Sequence, residues 1–414
     1  MNKKYIIIGA SAAAIGAING IRRVDQNGEI ICISAEKEMP YNKCFLADYL
    51  AGKKELGQLA IFDQAQQDAK RVHLLLGTRI TKIDSINKII FSADGQTFTY
   101  DVLLIATGST AQLPEIARNT SLQGIFTFHT AADAQAIISY CDEYAAKKAV
   151  VVGTGLTGLE CADALLQRGI SVEIVQRGAQ LMSNQLDTES AELLANHGVK
   201  TGVQFHPNEQ VVKIDQLNGK VNGLILKDGK RVVADLVIFA TGFKPNSQLA
   251  QDAGLLLEQG AIVTSDAMQT SDPHIYAAGD VALVKDQISG QKMISCLWPD
   301  AMLQGLIAGQ NMATARRSLP SLEDPDKRRG AGQLKLYPGM VPIMSSAFFG
   351  VKVACYQSKA TPIACDLITH NSESDFYKIY IQNKRVCSFY LVGTISLLGS
   401  LKRALLTNTS FILE

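Results

Sequence analysis

The chain has 414 residues, 47% of them hydrophobic and 33 of them glycine, with 40 basic against 39 acidic side chains. One core rarely grows past about 250–300 residues, so this length implies two or three domains, and the composition suits alternating helices and strands rather than disorder. A net charge of +1, with no basic run beyond short ones such as Lys327-Arg328-Arg329, gives a nucleic-acid partner no footing, and no stretch approaches the roughly 20 apolar residues of a membrane span. The first element is the apolar strand Tyr5-Ile6-Ile7-Ile8, which runs into Gly9-Ala10-Ser11-Ala12-Ala13-Ala14 and a helix opening on small residues. Lys3 and Lys4 before it resemble the start of a secretory signal, but a strand–turn–helix unit explains the same residues better. Gly9, Ser11 and Ala14 make a degenerate G-x-S-x-x-A turn, in which N–H groups at a helix N-terminus approach a pyrophosphate closely. The next strand starts at Glu29 and ends in Glu36, near the spacing at which a carboxylate meets ribose hydroxyls.

Residues 53–71 are polar and read as a helix, followed by short strands at 72–76, 78–83, 88–91 and 97–99. A buried strand from Asp101 to Ile105 then ends in the small-residue turn Ala106-Thr107-Gly108. A second and stronger glycine unit begins at Ala149. Here Gly153, Gly155 and Gly158 complete G-x-G-x-x-G between an apolar strand and the helical run Leu159 to Gln167. The strand Ser171 to Val175 leads to Gln176, where an acid would bind the ribose of NAD, and then to Arg177. Arg177 has two readings, a partner for a 2′-phosphate or a solvated strand end. A meander over 211–233 leads to Asp235 to Phe239 and the turn Ala240-Thr241-Gly242, an echo of residues 101–108.

Ile275 to Ala278 is another apolar strand, ending in Gly279-Asp280. Pro299 opens a small-residue helix, Asp300 to Arg316, where proline is tolerated. The stretch Pro320 to Gly330 reads as a linker. Beyond it, strands at 348–356, 376–381 and 385–392 and a helix at 397–406 form a sheet with one buried face, as Tyr377-Ile379-Ile381 alternate. Two dinucleotide cradles in one chain point to a flavin and a nicotinamide, and to electrons moving between them. The eight cysteines form no C-x-x-C pair and no zinc spacing, so no metal is expected.

The signposts Gly9 to Ala14 with Glu36, Ala106 to Gly108, Gly153 to Glu160, Ala240 to Asn246 and Ile275 to Asp280 resemble the FAD-dependent pyridine nucleotide oxidoreductases. Pro40-Tyr41-Asn42-Lys43 and Leu297-Trp298-Pro299 are similar to the branch of NADH:rubredoxin reductases and nitrite reductase flavin modules. The resemblance implies an α/β fold of two Rossmann-like nucleotide-binding domains, one inserted into the other, plus a small α+β C-terminal domain. It implies an FAD domain from 1–112 and 245–320, an NAD(P)H domain at 113–244 and an interface domain at 325–414.

By the same resemblance, Gly9, Ser11, Ala14, Glu36, Lys43, Ala106, Thr107, Gly108, Gly279, Asp280 and Trp298 would surround FAD. Gly153, Gly155, Gly158, Gln176, Arg177 and Gly242 would hold NADH or NADPH, with NADH favoured by the branch. Glu160 would stand on the nicotinamide side, and Ser345 to Val353 would lie near the flavin. The implied activity passes hydride from the nicotinamide to FAD, and electrons on to a rubredoxin-like redox protein, a redox subunit or dioxygen. Dimerisation through the C-terminal domain and a cytoplasmic location are also expected.

Cys44 departs from the pattern, since related reductases often carry proline there. It is either a small side chain in a flavin wall or a redox thiol that the adjacent Lys43 would promote to thiolate. The second reading makes the chain a thiol or peroxide reductase, similar to coenzyme A disulfide reductases. A third makes it a redox-sensing flavoprotein that binds NAD(P)H as a signal.

Overall fold

The computed structural model describes residues 2–118, 120–314, 334–357, 365–372, 375–407, 409 and 411. The linker expected at 320–330, with its Lys327-Arg328-Arg329 run, lies outside the described residues. The chain divides into two compact units, each gathered from three stretches. One comprises residues 1–43, 57–110 and 244–340, the other 44–56, 111–243 and 341–414. Among the described residues no helix is long and apolar enough to cross a membrane.

The first unit is centred on a five-stranded parallel sheet in the order Ile275–Ala277, Val102–Ile105, Lys4–Ile8, Glu29–Ile33 and Val72–Leu75. Its middle strands are isoleucine- and leucine-rich because both of their faces are buried, which leaves no polar side to alternate with. The helices Ala12–Val24 and Trp298–Thr314 meet at backbone distance. A Cβ on Gly16 would lie 2.2 Å from the Met302 carbonyl oxygen, and one on Gly305 would lie 1.9 Å from that of Ala13. That contact explains why both helices are built from small residues. An antiparallel sheet of Ile80–Asp84, Ile89–Ser92 and Thr97–Thr99 and a mixed sheet of Leu257–Glu258, Ala261–Val263, Ala282–Lys285 and Lys292–Ile294, whose two middle strands run parallel, also belong to the unit.

The helix expected over 53–71 is only Gln64–Lys70. Asp63 caps it in a reciprocal box with Gln66, so helix begins there, and the preceding residues form turns and the short 3₁₀ segment Leu56–Leu59.

The second unit repeats the parallel design with the order Gln204–His206, Ser171–Val175, Lys148–Val152, Leu236–Phe239 and Ile125–Phe126. Val211–Leu217, Lys220–Leu226 and Arg231–Val232 form its meander. The C-terminal stretch adds a five-stranded antiparallel sheet, and the helix Leu398–Thr407 buries Leu401, Ala404 and Leu405 against it. The single strand expected at 348–356 is instead a hairpin of Met344–Phe348 and Val351–Tyr356. Phe349 and Gly350 turn between them with φ of 55° and 79°, the left-handed pair that a two-residue hairpin requires. A further strand, Asp366–Asn371, is too polar to have been read as one. The Lys378 ammonium reaches Asp187 and Glu189, each at 2.9 Å, and so ties this sheet to the N-terminus of the helix Thr188–Lys200.

Candidate functional site

In the first unit the strand Lys4–Ile8 stops at Gly9, whose φ is +109° and whose added Cβ would lie 2.0 Å from the Ala106 carbonyl oxygen. No other residue fits, and the turn delivers Ser11 to the N-cap of the helix Ala12–Val24. The Ser11 side chain makes no capping bond, so it leaves the first N–H groups of that helix to another acceptor. Ala14 is fully buried behind them. Glu36 follows the second strand, accepting from the Tyr41 hydroxyl at 2.7 Å and lying 3.6 Å from the Lys43 ammonium. A carboxylate with two such partners retains lone pairs for ribose hydroxyls.

The turn Ala106-Thr107-Gly108 is clasped by Asn246. Its amide nitrogen donates to the Thr107 carbonyl at 2.9 Å, its backbone N–H donates to Gly108 at 2.9 Å, and its own carbonyl accepts from the Thr107 hydroxyl at 2.8 Å. Gly108 has a φ of +64°, and the space beside it is open. Asp280 ends the edge strand and accepts from Ser109 Oγ at 2.9 Å. The backbone N–H of Gly279 donates to Gln304 Oε1 at 2.8 Å, which joins the strand end to the helix Trp298–Thr314. Trp298 opens that helix half-buried, packed against the unit's core. The Cys296 thiol nearby is pushed up by burial and by the Asp280 carboxylate, so it stays protonated.

In the second unit Gly153 has a φ of +117°, and its Cβ would lie 2.3 Å from the Ala240 carbonyl oxygen. A Cβ on Gly158 would lie 2.3 Å from the Gly153 carbonyl oxygen. Gly155 differs. It is the N-cap of the helix Leu156–Gln167 with an ordinary φ of −72°, and nothing lies within 4 Å of an added Cβ. Local structure therefore gives no reason for glycine here, whereas a phosphate approaching the helix N-terminus does, and this open cradle fits a dinucleotide. Gly242 also borders open space, with its φ at +121°. Gln176 is turned inward, 6% exposed, and its Oε1 has no hydrogen-bond partner among the described residues, while Arg177 is exposed.

Glu160 stands on the helix behind this turn and accepts from Ser346 Oγ at 2.9 Å. Burial pushes its carboxyl up to about 7, against the Ser346 bond and helped by Asp48. The Cys44 thiol feels the same carboxylate. Although the residue is exposed overall, the thiol is raised first by burial and then by Glu160. The expectation that Lys43 promotes a thiolate at Cys44 fails, because the Lys43 ammonium is turned to Glu36 and the Tyr41 ring. Ser109 and Gln304 escaped the sequence reading, and Ser346 was visible there only within the stretch Ser345 to Val353, without a role of its own. Asn246 was visible there as part of a motif but without a role.

A model of the pyridine nucleotide-disulphide oxidoreductases matches residues 3–305. An NADH oxidase of Methanocaldococcus jannaschii is 35% identical over 321 residues, which are 75% of this chain and 70% of that protein. The assimilatory nitrate reductase electron transfer subunit of Bacillus subtilis is 31% identical over 281 residues, 68% of this chain but only 36% of that one. A solved NAD-dependent persulfide reductase from A. fulgidus superposes with a TM-score of 0.85 at 28% identity, covering 99% of this chain and 80% of that one. With both dinucleotide cradles in place, the chain belongs to the pyridine nucleotide-disulphide oxidoreductase family and is an FAD-dependent oxidoreductase that uses NADH or NADPH.

Proposed function

We propose that the chain carries electrons from NAD(P)H through FAD to a separate acceptor, a small iron protein of the rubredoxin kind or another redox subunit, without a relay through its own sulfur. The observation that carries this reading is the state of Cys44, whose thiol is raised rather than lowered and whose neighbouring cation is held by Glu36. A protonated thiol is a poor nucleophile. The kinship with an electron transfer subunit supports the same reading.

When bound, FAD supplies the hydride acceptance and the electron release. The chain's residues supply alignment and field. Gly9, Ser11 and Ala14 present helix N–H groups to the FAD pyrophosphate, Glu36 holds the adenosine ribose, and Ala106 to Gly108 pass beside it. Lys43 lies near the flavin phosphates or ring, Gly279 and Asp280 meet the ribityl chain, and Trp298 walls the ring. Gly153, Gly155, Gly158 and Gly242 take the nicotinamide dinucleotide. The buried Gln176 amide suits a neutral ribose, and the exposed Arg177 beside it is a cation suited to a 2′-phosphate. A reductase that draws on NAD(P)H and carries eight cysteines suits the cytoplasm.

One observation favours a second reading, a Cys44-dependent reductase of small disulfides or persulfides. Glu160, whose carboxyl burial raises to about 7, is near enough for its charge to raise the Cys44 thiol, and a carboxyl tuned to neutrality suits the acceptance of a thiol proton. The persulfide reductase likeness points the same way.

Anaerobic stopped-flow reduction by NADH and by NADPH, on parent and Cys44→Ser, separates the two. Under the first reading both proteins bleach at the same rate and turn over equally with a redox protein. A loss of 100-fold or more in turnover confined to disulfide or persulfide acceptors would instead establish the thiol relay.

A further inference from the structure

We propose that Tyr337 and Asp300 form a positioning and charge-setting relay for the flavin, resting on the reading that FAD lies against Asp280 and the N-terminus of the helix Trp298–Thr314. The Tyr337 hydroxyl donates to Asp300 Oδ1, and Gln304 Nε2 donates to Asp300 Oδ2 at 2.7 Å. Through its other amide atom Gln304 accepts the Gly279 N–H at 2.8 Å. One continuous hydrogen-bonded path therefore runs from Tyr337 to the backbone that carries Asp280. Gln304 is completely buried and Tyr337 is 4% exposed, while Asp300 between them is half-buried.

Tyr337 is held for this task by the backbone around it. Its N–H donates to the Asp266 carbonyl at 2.7 Å. Two residues earlier, Lys335 exchanges hydrogen bonds of 2.8 Å in both directions with the side chain of Asn311, which is itself nearly fully buried on the same helix. Residues 335–337 lie beyond the 3–305 match to the family model. Burial and Asp300 both hold the phenol above its ordinary range, so it donates throughout the working pH range.

Asp300 occupies the first turn of the helix, where its negative charge offsets the positive end of the dipole. Donors on both carboxylate oxygens spread that charge. A flavin that gains electrons gains negative charge, so the net field at this helix end sets how readily it is reduced. The two residues then act with opposite sign. In Tyr337→Phe the carboxylate loses a donor and the reduced flavin becomes less favoured. In Asp300→Asn the charge goes while an acceptor for Tyr337 remains, and the reduced flavin becomes more favoured.

The test is a dye-equilibrated reductive titration of the FAD-loaded protein and of both variants, with FAD affinity measured in parallel. Each variant should change the reduced-to-oxidised ratio at a fixed poise by about tenfold in opposite directions, 30 mV for a two-electron couple. Potentials that stay put, or that move together while FAD affinity falls, overturn the relay and leave only packing. A parent protein that takes up no FAD overturns the site reading itself, which the affinity measurement reports separately.

Discussion

Glu160 has a glutamate's side chain and a histidine's pKa, because it is buried on the helix Leu156–Gln167 with the Ser346 hydroxyl as donor and the Asp48 carboxylate adding to the cost of its charge. Its folded pKa of about 7 lies above the ordinary 4.5. Between those values the folded protein keeps a proton that the unfolded chain has released, so stability falls as pH rises through that window and is flat above it. The loss is on the order of 2 kcal/mol. Glu160→Gln keeps an acceptor for Ser346 and cannot ionise. Denaturant melts should therefore find it about as stable as the parent near pH 5, and more stable by on the order of 2 kcal/mol at pH 8. An equal gap at both pH values would mean that Glu160 does not titrate in that window. The residue was legible as a motif member, but its partner was not: Ser346 is 186 residues away and sits in a strand whose alternation says nothing about contacts.

At the scale of elements, the three glycines of the second cradle separate structural from functional need. Gly153→Ala would place a methyl inside the Ala240 carbonyl at a left-handed φ, and should unfold the turn at a cost of several kcal/mol. Gly155→Ala meets nothing within 4 Å and keeps an ordinary φ. Its stability should stay within about 1 kcal/mol of the parent. FAD content should not change, while the apparent affinity for NAD(P)H falls about tenfold, because the methyl occupies the phosphate's approach. Calorimetry and stopped-flow reduction on one preparation read both, and unchanged nucleotide affinity would remove Gly155 from the site.

These turns were legible because strand, glycine and helix are local in sequence, and the closing strands repeat the same pattern. The stretch 53–71 was misread because polarity alone does not make a helix; the D-x-x-Q pair at Asp63 and Gln66 was the signal for its true start. The path from Tyr337 through Gln304 to Gly279 was invisible for the opposite reason. It joins three separate elements by side chains that each look ordinary in their own context.

On the scale of the molecule, the two units have separate cores, and each is closed by chain that returns from far away. The residues proposed to hold FAD, up to Lys43 and from Ala106 to Gly108 and at Gly279, Asp280 and Trp298, lie in the first unit, and those proposed to hold NAD(P)H lie in the second. The two units should therefore respond to different perturbations. A ligand that binds only the folded form stabilises it by RT ln(1 + [L]/Kd), about 2.7 kcal/mol at a hundredfold excess over Kd. Added FAD should raise the melting of the first unit alone.

Lys378 offers the matching handle on the second unit. Its side chain is 16% exposed, and its ammonium stays above its ordinary range against the cost of burial because Asp187 and Glu189 face it. Lys378→Ala leaves two carboxylates side by side without their cation, at a cost of about 1 kcal/mol because Glu189 is half exposed. Scanning calorimetry of the apoprotein should show two transitions, with FAD moving one upward and Lys378→Ala moving the other downward. A single transition displaced by both would mean that the units melt together, and ligand binding to one would then be felt as stability by the whole chain.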